Sequence, residues 1–252
     1  MAMQAPTFPR EIAPGVHWLG GCLVPEADGR KYHNHVSAYL IIGEDQTLLV
    51  DTGHPKDWEA VVAGIDEVLQ SRPLDFVFPT HSEMPHAGNL TRLLNRYPET
   101  VVVGDIRDYH FYYPGCEDRL RACAIGDSLD LGGRRFSIVK PVIVDLPSTQ
   151  WGFDDGARVL FVSDGYAYSH EHEAGQCALT AEELPELPTP EQTRHINDKA
   201  LYWTRFRDMA PLFDRLAELR VELDARVIAP AHGSVITKPE VILPALESGY
   251  RK

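Results

Sequence analysis

Four stretches of this chain share one plan, a short apolar run that ends on a polar residue beside a glycine or a ligand-rich turn. Leu48-Leu49-Val50 ends on Asp51-Thr52-Gly53, and Phe76-Val77-Phe78 leads into Thr80-His81-Ser82-Glu83-Met84-Pro85-His86-Ala87-Gly88-Asn89. Val159-Leu160-Phe161-Val162-Ser163 ends on Asp164-Gly165, and Val227-Ile228-Ala229-Pro230-Ala231 ends on His232-Gly233. Such runs read as buried strands, with glycine permitting a tight exit. The pattern therefore asks for a fold in which several strand ends converge on one cavity. Histidine and carboxylate donors together suit zinc or non-haem iron rather than calcium or an all-thiolate site. His81, Glu83, His86, Asp164 and His232 are the candidate metal ligands. A capping role accounts for any one of these residues alone, and it is the simplest reading of Asp51 taken by itself. Four polar strand ends together are not explained by caps.

The rest of the chain supplies the layers. Val36–Ile42 and Thr47–Val50 flank a Gly-Glu-Asp turn, which predicts a β-hairpin. Trp58, Val61, Val62, Ile65, Val68 and Leu69 keep helical spacing, and Pro73 closes that segment. A strand is expected at 75–79, a helix at 87–97 and a strand at 100–103. Strands near 135–139, 142–146 and 158–163 follow, then a helix near 197–221, a strand at 226–229 and a closing segment from Pro239. Two strand-rich halves with long helices between them predict an α/β fold, an αββα sandwich. The candidate ligands run from 81 to 232, so dividing the chain would divide the site. Residues 1–252 are accordingly read as one domain, with 166–195 as a lid or interface insertion. That insertion starts Tyr166-Ala167-Tyr168-Ser169-His170-Glu171-His172 and is expected to be a solvated polar loop. His170 or His172 reaching a metal site is the alternative. His33 and His35 are expected to line a pocket mouth or sit in a turn. The aromatic cluster Tyr109-His110-Phe111-Tyr112-Tyr113 is expected to be core or subunit interface.

The charge balance, 24 Lys and Arg against 37 Asp and Glu for a net −13, excludes nucleic acid and anionic membrane surfaces as partners. No apolar stretch approaches about twenty residues, so no membrane span is expected. Residues 1–14 lack a basic start and apolar run, so no secretory leader is expected. Cys22, Cys116, Cys123 and Cys177 form neither a Cys-x-x-Cys pair nor a zinc-ribbon spacing. They are read as reduced thiols of a cytoplasmic protein.

The order Asp-Thr-Gly, His-x-Glu-x-x-His, Ser-Asp-Gly, Pro-Ala-His-Gly resembles the metallo-β-lactamase superfamily. The glutamate at Glu83 resembles its flavodiiron branch, including stand-alone oxygen-binding diiron proteins. Ala200-Leu201-Tyr202-Trp203-Thr204-Arg205-Phe206 is similar to that branch's aromatic helix, and the resemblance covers about residues 15–240. It implies a first metal held by His81, Glu83 and a bridging Asp164, and a second held by His86, Asp164 and His232. It also implies that Asp51 orients a ligating histidine. Two positions depart from the family pattern. Pro85 stands where His-x-Glu-x-Asp-His has its aspartate, and Gln150 stands near the place of a further histidine. On this reading each metal has lost one protein ligand, and the second site, with two histidines and a carboxylate, is the better one.

Three functions follow. The leading expectation is a metal-dependent hydrolase with one or two divalent ions, iron or zinc, acting through metal-bound water on a small uncharged or aromatic substrate. Glu83 and Asp164 would be its catalytic residues. The alternative, implied by the resemblance, is a non-haem diiron protein that binds or reduces O2 or NO with electrons from a separate donor. The third is a catalytically incomplete subunit paired with an active paralogue. A homo-oligomer or a hetero-oligomer with such a paralogue is the expected assembly. No Gly-x-Ser-x-Gly elbow exists for a serine mechanism.

Overall fold

The computed structural model describes residues 5–27 and 29–250; Met1–Gln4, part of the stretch read for a leader, lie outside the described residues. The chain begins with β1 (Arg10–Ala13), β2 (Val16–Leu23), a small ribbon of β3 (Glu26–Ala27) and β4 (Arg30–Lys31), and the hairpin β5 (Asn34–Ile42) and β6 (Thr47–Val50). Next come α1 (Trp58–Leu69), β7 (Phe76–Phe78), α2 (Met84–Ala87), α3 (Leu90–Arg96), β8 (Val101–Gly104), α4 (Tyr109–Tyr112) and β9 (Leu120–Ala122). The second half holds β10 (Ser128–Asp130), β11 (Arg135–Val139), β12 (Trp151–Asp154) and β13 (Val159–Phe161). It closes with α5 (Pro190–Ala200), α6 (Ala210–Leu223), β14 (Val227–Ala229) and α7 (Pro239–Ser248).

Seven strands in the order β1-β2-β5-β6-β7-β8-β9 form one sheet, and five in the order β10-β11-β12-β13-β14 form the other. The inner faces share a core in which Phe78 meets Phe136 and Tyr39 meets Phe161 at ring separations of 5.2 and 5.3 Å. On the outer face of the first sheet, α1 buries Val61, Ile65 and Leu69 at four-residue spacing, the helical stripe expected from the sequence. Each such side chain contributes roughly 1.5–3 kcal/mol when fully buried. Gly64 lets the helix come close, since a Cβ there would meet Leu19 Cδ2 at 2.4 Å. On the outer face of the second sheet, Phe213, Leu216 and Leu219 of α6 and Ile242, Leu243 and Leu246 of α7 pack as the fourth layer. This is the αββα sandwich.

The topology explains where chemistry can be placed. Strands β6, β7 and β8 run parallel, as do β13 and β14. Their carboxyl ends therefore deliver Asp51, His81, Asp164 and His232 to common sheet edges.

Several expected elements differ. No strand forms at 142–146. Pro141 and Pro147 bracket that run and remove ladder donors, while Ile143 is buried from a loop. The strand of that region is β12 instead. The helix expected at 87–97 is broken at Gly88-Asn89, where the Asn89 amide donates to the carbonyls of Thr52 and Gly53 at 3.0 Å. The long helix near 197–221 is three pieces, α5, a 3-10 turn at Tyr202–Phe206 and α6. The aromatic run 109–113 is divided, with Tyr109 buried and Phe111 and Tyr112 exposed. The start of the 166–195 segment is not solvated: Tyr166, Ala167, Tyr168, Ser169 and His170 are all buried. Among the described residues, no helix is long and apolar enough to cross a membrane.

Candidate metal centre

Asp164 leaves β13 after Ser163, whose φ of 50° is unusual for a residue with a side chain. Its carboxylate is almost fully buried and faces three imidazoles. Oδ1 lies 3.5 Å from His86 Nε2 and 3.4 Å from His232 Nε2, while Oδ2 lies 3.8 Å from His81 Nε2. One carboxylate thus divides its two oxygens between two groups of nitrogen donors.

The opposite nitrogen of each ring is already engaged. His86 Nδ1 is 3.0 Å from Asp51 Oδ2, His81 Nδ1 is 2.9 Å from Ser163 Oγ, and His232 Nδ1 is 3.3 Å from the His35 carbonyl. Such contacts fix the ring orientation and leave Nε2 as the lone-pair donor. His81 Nε2, His86 Nε2 and Asp164 Oδ1 are buried with no hydrogen-bond partner. An unpaired buried polar atom costs roughly 1–3 kcal/mol. His81, His86 and Asp164 each place a donor atom within 4.8 Å of the other two, a spacing that a cation with ligand bonds of about 2.0–2.2 Å can draw together.

Asp51 also sits at a left-handed backbone position, φ 56°. It accepts from Thr80 N at 2.7 Å and Thr80 Oγ1 at 3.1 Å as well as facing His86. The strained turns at Asp51 and Ser163 are held by this network across β6, β7 and β13.

The five ligands expected from the sequence, His81, Glu83, His86, Asp164 and His232, are all brought to this place. Glu83 is the outermost: its side chain is 53% exposed, with Oε2 3.9 Å from His81 Nε2. Asp145 is a further donor that the sequence reading missed. Its Oδ2 is 3.3 Å from His81 Nε2, while Thr149 Oγ1 donates to its Oδ1 at 2.6 Å. The signal was present, since Asp145 ends the apolar run Val142-Ile143-Val144 as the other polar residues end theirs.

Gln150 is corrected by the same geometry. Its side-chain amide turns away and donates to the Cys123 carbonyl at 2.9 Å, while its backbone N–H donates to the Thr80 carbonyl at 2.8 Å. Asp145, rather than Gln150, stands beside His81. The first group therefore has four donors, His81, Glu83, Asp145 and the shared Asp164, and the second has three, His86, His232 and Asp164. By number of donors the first group is the fuller one, whereas the sequence pattern favoured the second. Pro85 lies in the first turn of α2, where a missing N–H is harmless. Neither His170 nor His172 joins the centre; both face a different cluster.

The electrostatics are those of closely packed opposite charges. Burial pushes the Asp164 carboxyl up, but His86, His232 and His81 together outweigh it and hold the group far below the usual carboxylate range. Burial likewise opposes a proton on His86, yet Asp51 and Asp164 hold its pKa well above the ordinary value. For His232 burial wins over Asp164 and the pKa falls. Burial raises the Asp145 carboxyl against the pull of His81, whereas the neighbouring His81 lowers that of Glu83. A cation bound here would take the place of a proton on His86 Nε2.

Histidine and carboxylate donors set at strand ends on one edge of an αββα sandwich define a class. The chain belongs to the metallo-beta-lactamase superfamily, whose family profile matches residues 33–232. Within it the chain is similar to proteins of the flavodiiron branch. It is 27% identical over 257 residues to the coenzyme F420H(2) oxidase of Methanothermobacter thermautotrophicus, covering 93% of this chain and 59% of that protein. It is 26% identical over 240 residues to the anaerobic nitric oxide reductase flavorubredoxin of Shigella dysenteriae, covering 89% of this chain and 47% of that protein. The rubredoxin oxygen:oxidoreductase of Desulfovibrio gigas superposes with a TM-score of 0.71 at 19% identity, over 96% of this chain and 60% of that one. The flavodiiron protein of Giardia intestinalis gives the same score at 18% identity, over 97% and 59%. The chain spans about three-fifths or less of the length of these relatives.

Proposed function

We propose that this chain is an oxidoreductase domain that holds two iron ions and reduces O2 or NO with electrons from a separate donor. His81, Glu83, Asp145 and Asp164 would hold one ion, and His86, His232 and Asp164 the other. The observation that carries the reading is the division of the Asp164 carboxylate, one oxygen toward His81 and the other toward His86 and His232. The names of the relatives, an F420H(2) oxidase and a nitric oxide reductase, favour this reading over hydrolysis.

The residues agree with that preference. Hydrolysis calls for a group that orients the attacking water, and Pro85 stands where the family pattern has the aspartate for it. Three carboxylates around the first position, Glu83, Asp145 and Asp164, form a hard, anionic donor set suited to iron. When bound, the iron pair would supply reducing electrons to a small molecule. The protein's part is to orient and enclose. Asp51, Ser163 and the His35 carbonyl fix the three rings, and burial of His81, His86 and Asp164 keeps bulk water out.

The test is anaerobic reconstitution with ferrous iron, followed by iron analysis and O2 or NO uptake in a single turnover. Two irons per chain with gas uptake, both lost in Asp164→Ala, is the expected result. Zinc retained in place of iron, with no gas uptake by the reconstituted protein, would remove the proposal.

A further inference from the structure

A second group of soft donors lies on β2 and the segment after Asp164. Cys22 Sγ is 3.4 Å from His172 Nε2, and Cys22, His172 and Cys177 each place one donor atom within 4.8 Å of the other two. Nothing in the mechanism uses them. Their arrangement is built rather than incidental. The N–H of His33 donates to the His170 carbonyl at 2.9 Å and the N–H of His170 donates to the His33 carbonyl at 3.0 Å, pinning the segment to the start of β5. That bridge brings His172 to Cys22, which is itself paired with His35 across β2 and β5.

His172 is also set in the tautomer a metal needs. Its Nδ1 donates to the Glu173 carbonyl at 2.8 Å, so Nε2 carries the lone pair that faces Cys22. Bonds of about 2.3 Å to sulfur and 2.0–2.1 Å to nitrogen, at a tetrahedral angle, separate the two donors by about 3.5 Å. The observed 3.4 Å matches that spacing. His33 supplies an independent sign. Its ring centre lies 3.9 Å from that of His172, and its Nδ1 is buried with no partner. His33 and His172 line one cleft of about 880 Å³, through which an ion can reach them from solvent.

We propose that Cys22, His172 and Cys177 bind one thiophilic divalent ion, zinc foremost, at a site separate from the iron centre, with His33 nearest the remaining position. Two thiolates and a neutral imidazole are a zinc donor set. As the two metal–sulfur bonds form, the two thiol protons pass to water, and the ion with its thiolates is electrically neutral in a half-buried place. The sequence spacing concealed the site, because 150 and more residues separate Cys22 from its partners.

The site shares no ligand with the iron centre, so its test is independent of the proposed activity. Protein prepared without oxygen is stripped with chelator, desalted and titrated with cobalt(II), with zinc added afterwards. The expected result is a thiolate-to-cobalt charge-transfer band that saturates at about one equivalent and is displaced by zinc. The band should disappear in Cys22→Ser and in Cys177→Ser, weaken in His172→Gln, and persist in His86→Ala. His172→Gln, a change at a half-exposed loop residue, serves if a cysteine variant fails to fold. A missing band in the parent protein, or one that survives all three substitutions, overturns the site. So does a Cys22–Cys177 disulfide found by mass spectrometry in the anaerobic preparation, together with no cobalt uptake.

Discussion

Asp51 Oδ2 stands 3.0 Å from His86 Nδ1, so a carboxylate from the end of one strand sets the ring of a donor that follows the next. The same carboxylate takes the backbone N–H and the hydroxyl of Thr80, which fixes the turn carrying His81. Asp51→Asn keeps the side-chain shape but removes the charge that supports His86. Metal affinity at the second position should fall roughly 10- to 100-fold, the usual effect of losing such a partner. Competition with a chromophoric chelator measures it. Unchanged affinity would show that His86 needs no such support.

Asp145 and Gln150 make opposing predictions from neighbouring positions. Asp145→Ala should cost about one bound iron per chain, because it removes the donor beside His81. Gln150→Ala should keep the metal and lose about 1 kcal/mol of stability, the scale of one hydrogen bond to the Cys123 carbonyl. Iron analysis and chemical denaturation on the two variants decide between them. Metal loss in Gln150→Ala with retention in Asp145→Ala would return the ligand position to Gln150.

The contrast between these two residues also marks how far the sequence could be read. The candidate donors at the ends of β7, β13 and β14 were legible because strand end, turn and donor are contiguous in the chain. Asp51 was legible for the same reason, and the structure sets it against a histidine ring, that of His86. Asp145 was hidden because its apolar run, bracketed by Pro141 and Pro147, looks like a strand and folds as a loop. Gln150 was misread because proximity in sequence to a family ligand says nothing about which way an amide points. The layers followed from periodicity, but the breaks in the helices depended on tertiary hydrogen bonds such as those of Asn89 with Thr52 and Gly53. Cys22, His172 and Cys177 meet through the bridge between His170 and His33, just ahead of β5, and no local signal reports that.

Arg10 and Glu183 give a pH prediction away from the metal. Arg10 Nη1 and Nη2 donate to the two Glu183 carboxylate oxygens at 2.6 and 2.9 Å, and Thr180 N donates to the same group at 2.9 Å. Arg10, ahead of the smaller effects of burial and Thr180, lowers the Glu183 pKa from 4.5 to about 2. The folded pKa lies below the unfolded one, so the stabilisation is complete above about pH 4.5 and is lost as pH falls toward 2. Glu183 is 42% exposed, and solvent screening limits the effect to about 1 kcal/mol or less. Glu183→Gln should therefore be less stable than the parent by that amount at pH 7, with the gap closing as pH falls through 4 and below. Urea denaturation at several pH values measures it, and a gap independent of pH would rule out the ion pair as its source.

Pro85 is the departure that remains once Gln150 is set aside. It leaves His86, His232 and Asp164 as the three donors of the second group, while the first has four. Pro85→Asp restores the family's His-x-Glu-x-Asp-His order within the first turn of α2, where a carboxylate also meets the positive end of the helix. A fourth donor should tighten the second iron, by about tenfold if it contributes as a single partner lost elsewhere does. If the gas is bound where that donor would sit, uptake of O2 or NO should slow as the iron binds more tightly. Iron titration and gas consumption are measured on the variant beside the parent. Tighter iron with equal or faster uptake would place the reacting molecule at the first position, beside Glu83 and Asp145, and would make Pro85 a lost ligand rather than an adaptation.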